Sequence, residues 1–228
     1  MMLDTLGALT LGGAIAAVLT AIAGSLKNAL LPRIAFGALA GIWIALVVLL
    51  TAGGYLRVFF TVPVMFAIPL LAAALLAVAS PGFRATVGGI SPRLIIGLNV
   101  IRSMGFWFLL LAAAGRLSGP FPYFAGIGDI ITGLAALPVA RLVIRTGVND
   151  TRVLVWNAFG LLDLVVAVAL GVTSFKGSSS AIGTLPWSLI PLVLVPAFMI
   201  GHLVVFAQAR SRARQSSAAE ILTPSTVS

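Results

Sequence analysis

The chain has 228 residues, 61% of them hydrophobic and 8% charged, with a net charge of +9, no cysteine and a mean hydropathy of +1.18. Soluble chains are about 45–50% apolar and about 25% charged, so this one has too little polar surface to coat a globule in water, and the bilayer is its solvent. The missing cysteines exclude disulfides, thiolate nucleophiles and Cys-ligated metals; the single histidine, His202, excludes a bis-histidine haem or a multi-His zinc or copper site within one chain.

Seven apolar stretches follow in order: 6–24, 34–53, 62–80, 94–114, 123–143, 153–173 and 187–207. Each has the ~20 residues that cross ~30 Å of hydrocarbon as a helix. The expected fold is therefore all-α: one polytopic membrane domain of seven transmembrane helices over residues 1–207. The tail, 208–228, opens basic, resting its arginines on anionic headgroups, and is expected to be disordered beyond Arg214.

Ala21-Ile22-Ala23 resembles a signal-peptidase site, but the segment before it holds Asp4 and no Lys or Arg, so the first span is expected to stay. Spans one to three carry no charge. Their Gly13-x-x-x-Ala17 and Gly37-x-x-x-Gly41 pairs suit close helix packing and are weakly specific.

Loop charges predict orientation. Lys27, Arg33, Arg84, Arg93, Arg141, Arg145, Arg152, Arg210, Arg212 and Arg214 fall on one side, and Arg57, Arg116 and Lys176 on the other. The positive-inside rule then places the N-terminus outside and the C-terminus in the cytoplasm of a bacterial cytoplasmic (inner) membrane. The +9 charge is accounted for by these loops, so no nucleic-acid partner is expected. Tyr55, Phe121, Tyr123 and Trp187, near the outer boundary, read as interfacial anchors.

The second half carries polar groups inside its spans. Span four holds Asn99 and Arg102, three apart on one helical face; span five holds Asp129 and Thr132, with Gly126 and Gly133 on the same face. Span six holds Trp156, Asn157 and Asp163, with Asn157 turned well away from Asp163, and span seven holds His202. At ~1.5 Å per residue from the nearest cytoplasmic arginine, Arg102 and His202 lie roughly 12–13 Å deep, and Asp129 and Asp163 roughly 16–18 Å. These four therefore share a layer about 6 Å thick, and Arg102 can reach either Asp. An unpaired charge at a helix centre costs about 2.5–3.5 kcal/mol, so three would cost on the order of 8–10, and pairing offsets part of that. The count is one Arg against two Asp. Either one Asp keeps a proton or His202 carries the second positive charge.

Pro138, Pro191 and Pro196 lie within spans and are expected to kink them, freeing carbonyls as many transporters do at substrate sites. Gly126-Ile127-Gly128-Asp129 lacks the pattern of a dinucleotide-binding loop. The last span has no lysine for a retinal Schiff base, because Lys27 and Lys176 sit in loops. A hydrolase would have to pair Ser103 with His202 on depth alone.

Three functions fit this pattern. The first is a small-solute or proton-coupled transporter or channel, in which Arg102 binds an anionic group, Asp129 or Asp163 exchanges protons, and Asn99, Asn157 and His202 line the path. The second is a non-catalytic assembly factor or complex subunit whose charges specify helix packing. The third is a lipid-processing enzyme. The expected partners are the bilayer, a small anionic or protonatable solute, and further copies or another membrane subunit. No metal and no cofactor are called for.

Overall fold

The structure is a computed structural model describing residues 1–26, 30–57, 61–174 and 181–222. Lys27 and Lys176 of the loop-charge pattern, and the end of the tail, lie outside the described residues. Among those described there are helices and turns and no strand. The helices are α1 (Met2–Ser25), α2 (Leu30–Ala52), α3 (Thr61–Ala79), α4 (Pro81–Gly88), α5 (Pro92–Leu98), α6 (Phe106–Ala113), α7 (Phe121–Thr146), α8 (Thr151–Ser174) and α9 (Val195–Leu222). A 3-10 stretch, Asn99–Gly105, joins α5 to α6, and a π-helical stretch, Ile190–Leu194, leads into α9.

Seven of these units are long and apolar enough to span a membrane, with α5, the 3-10 stretch and α6 together making the fourth, Pro92–Ala113. The protein is an integral, multi-pass membrane protein. At the polar end of the chain α9 continues to Leu222, past Arg214.

Ser80 caps α4 by accepting from the Phe83 N–H at 3.1 Å, and Pro81 follows at the first helical position, where its missing N–H costs nothing. Asp150 accepts the Arg152 N–H at 2.9 Å before α8, and hydrogen bonds from Arg152 hold its carboxyl below the usual carboxylate range. Gln208 donates to the carbonyls of Gly88 and Ile90, tying α9 to the α4–α5 turn.

The interior has three apolar clusters, and a polar layer lies between two of them. One is built around Leu11, Trp107, Phe108, Phe121, Leu164 and Trp187; the other around Ile96, Ala136, Val148, Val153 and Val205. Every polar span passes from one to the other. Span four runs Ile96, Arg102, Trp107, and span seven runs Phe198, His202, Val205. In contrast, α2 and α3 bury few residues and present leucines and valines outward, as lipid-facing helices do.

Two of the four expected interfacial aromatics are not at the surface. Trp187 is 1% exposed and Phe121 is buried, whereas Tyr55 and Tyr123 are exposed. Trp187 packs its ring on Gly7 and on Trp107, with centroids 5.3 Å apart, and donates to Asp4 Oδ1 at 2.8 Å. Arg116 donates to the same oxygen at 2.8 Å, so Asp4 fastens the start of α1 to the α6–α7 turn and to the lead-in of α9.

Candidate functional site

The site is assembled from the middle of the fourth span. A 3-10 helix repeats every three residues, so Asn99, Arg102 and Gly105 fall on one face, and these three are its buried residues. That face lies backbone to backbone against α7, and glycine allows it. A Cβ on Gly105 would stand 2.6 Å from the Asp129 Cβ and 2.7 Å from the Gly126 carbonyl oxygen, and one on Gly133 would strike the Arg102–Ser103 backbone. Small residues permit such close approach in lipid, where van der Waals contact and hydrogen bonds hold helices together.

Arg102, 3% exposed, then reaches three helices. Its Nε donates to Asp129 Oδ1 at 2.7 Å on α7, and its Nη2 to Asp163 Oδ2 at 2.5 Å on α8. Its Nη1 donates to the Gly160 carbonyl at 3.0 Å on α8 and meets His202 Nε2 at 3.0 Å on α9. Gly128 and Gly160 make room: a Cβ on Gly128 would strike the Asp163 carboxylate, and one on Gly160 would lie 2.6 Å from the His202 ring.

The hydrogen bonds fix the state of His202. A guanidinium only donates, so Nε2 must accept and carry no proton. Nδ1 therefore bears the proton and donates to Asn157 Oδ1 at 2.8 Å, while Asn157 Nδ2 donates to the His202 carbonyl at 3.0 Å. Both bonds are consistent with one neutral tautomer. Trp156 packs beside the ring, with centroids 5.5 Å apart, and donates to the Thr132 carbonyl at 3.2 Å. Of the two ways to balance the charges, this geometry fits the one in which His202 is neutral. The layer then holds one positive group against two carboxyls.

Five of the six expected polar residues thus meet: Arg102, Asp129, Asn157, Asp163 and His202. Asn99 does not join them. It is buried, but its amide donates to the Ile95 carbonyl of its own helix at 3.0 Å. Ser103 and His202 form no pair, since the Ser103 hydroxyl donates to the Val100 carbonyl at 2.7 Å. The sequence reading missed Gly105, Gly128 and Gly160. The seven-residue spacing of Gly126 and Gly133 was the visible sign that α7 has a backbone-contact face.

The prolines act in different ways. Pro138 lies inside α7, which runs unbroken to Thr146. Pro191 sits in the π stretch and Pro196 just after it. Pro196 has no N–H for the Leu192 carbonyl four residues back, and the Trp43 indole of α2 supplies one at 2.8 Å.

A cavity of about 150 Å³ adjoins the polar layer, between α3, α6, α7, α8 and the π stretch. Its walls are apolar, including Phe66, Phe108, Ala125, Leu164, Ala167 and Pro191, and among the described residues its one charged lining residue is Asp129. Asp129 Oδ1 is taken by Arg102; among the described residues Oδ2 has no hydrogen-bond partner. Among the described residues no cluster of His, Asp, Glu or Cys could hold a metal ion.

No curated protein and no solved structure matches the chain. Residues 59–210, covering the third to the last span and every residue of the polar layer, match the family model described as Domain of unknown function (DUF8737), and the chain belongs to that family.

Proposed function

We propose that this protein is a proton-coupled transporter or channel for a small solute, oriented with its N-terminus outside and its C-terminus in the cytoplasm of a bacterial cytoplasmic membrane. The ten-to-three distribution of loop Lys and Arg supports the orientation. The single observation that carries the function is the charge imbalance: one guanidinium, two carboxyls and a neutral imidazole, buried together beside a cavity. One further positive charge balances the layer, and a proton on the Asp129–Asp163 pair supplies it. Intramembrane ionisable groups are by default functional, and proton relays are among the roles they mark.

In this reading Arg102 is the fixed counter-ion and not the solute's ligand. Its bonds go to Asp129, Asp163, Gly160 and His202, which leaves it little capacity for an anion. A lipid-processing enzyme, which would need Arg102 for a phosphate, has correspondingly less support. The test is proton flux in liposomes. Purified protein should pass protons down an imposed gradient in the presence of a panel of small solutes, and Asp129→Asn should abolish the flux while inserting normally; equal flux from both would overturn the proposal.

The saturation of Arg102 also favours a second reading, in which the layer only fixes helix packing. Membrane-inserted yield and thermal stability separate the two. On the packing reading Arg102→Met and the double change Asp129→Asn/Asp163→Asn each collapse the protein, and combining them restores it. On the transport reading the uncombined variants already insert and stay folded, and they carry no flux.

A further inference from the structure

We infer that the cavity beside Asp129 binds a small hydrophobic cation, an aromatic or short aliphatic amine, whose ammonium group replaces the proton of the carboxyl pair. This rests on the proton-coupled reading and names the solute class for the same site.

Charge, walls and size all point the same way. The layer lacks one positive charge, and Asp129, its side chain 12% exposed, lines the cavity with one carboxylate oxygen left without a partner among the described residues. An anion would meet that carboxylate while Arg102 is already engaged. A hydrated metal ion would exchange its water for a single oxygen among hydrocarbon walls, far short of the ~6 oxygen ligands such ions take. A neutral hydrocarbon would fill the walls and leave Oδ2 without a donor. An ammonium group on an apolar body satisfies both halves of the site. A dry cavity of about 150 Å³ accepts a molecule the size of benzene, so one ring or a few methylenes fill this one. The cavity occupies the space between α3 and α8, and α3 takes its main packing from α4, α9 and the π stretch.

The exchange balances without a co-reactant. The protonated amine enters, the carboxyl pair releases its proton to solvent, and the layer holds the same charge before and after. One cation enters for each proton released.

The experiment uses the full chain in lipid nanodiscs with benzylamine, read by equilibrium dialysis and by a pH indicator in weak buffer. Benzylamine should saturate, releasing about one proton per amine bound, as linkage requires. Benzoate and toluene should not compete. Ala167→Phe, which fills the cavity away from the charges, should weaken benzylamine at least about tenfold, and Asp129→Asn should lose the proton release. Competition by toluene, binding unchanged in Ala167→Phe, or binding without proton release would each overturn the inference. If Asp129-dependent flux persists but benzylamine does not bind, the solute class is wrong and proton coupling stands. If benzylamine binds and displaces a proton but no flux is seen, the site is right and the transport reading fails.

Discussion

Arg102 uses three separate parts of its guanidinium at once, Nε for Asp129, Nη2 for Asp163 and Nη1 for Gly160 and His202. A lysine keeps the charge but is a compact point donor and cannot span these directions. Arg102→Lys should therefore lower stability by roughly 2–3 kcal/mol, the scale of a lost hydrogen bond to a charged group, measured by unfolding in mixed micelles. The Arg–Asp pairing was legible because depth along a helix is simple arithmetic on sequence position. The Asn157–His202 pair was not, since facing on one helix says nothing about which residue arrives from another. Asn99 shared a helical face with Arg102 and still bonds locally, because a side-chain amide can reach its own i−4 carbonyl.

At the scale of the element, the irregular pieces carry the placement. Pro191 and Pro196 announced a disturbed seventh span, and the structure answers with the π stretch. The partner of the freed carbonyl could not be foreseen, because Trp43 lies far away in sequence. Trp43→Phe should cost roughly 0.6–1.7 kcal/mol, the range for hydrogen bonds between helices in lipid. Pro196→Ala restores a backbone donor for Leu192, so the Trp43→Phe penalty should shrink in that background; thermal denaturation of the four proteins in detergent checks the cycle. The 3-10 stretch had no compositional sign. Asn99–Gly105 contains neither proline nor a capping pattern, and its winding follows from contact with the glycine face of α7.

For the whole molecule, the seven spans were legible because hydropathy over ~20 residues is a local sum. The burial of Phe121 and Trp187 was not, because an aromatic near a span end has the same local signature whether lipid or protein covers it. The first two spans lie outside residues 59–210 yet are fastened to the rest. Asp4 accepts from Arg116 and Trp187, Trp43 donates to Leu192, and the Ser188 hydroxyl lies 3.0 Å from that of Thr51. Thr51 spends its own hydrogen on the Val47 carbonyl, which makes Ser188 the donor of that pair. A chain lacking residues 1–58 should therefore fail to give a monodisperse peak on size exclusion, and co-expression of residues 1–58 should restore it.

The 3-10 stretch also sets a length. It rises ~2.0 Å per residue where an α-helix rises ~1.5 Å, so over Asn99–Gly105 the fourth span is extended by roughly 3–4 Å. Relaxed to α, the same residues would shorten the span and turn Gly105 about 120° away from Asn99. The alignment that presents Arg102 to α7 is thus tied to the thickness of the surrounding hydrocarbon. A thin bilayer presses on the one span whose shortening would undo the grip on Arg102.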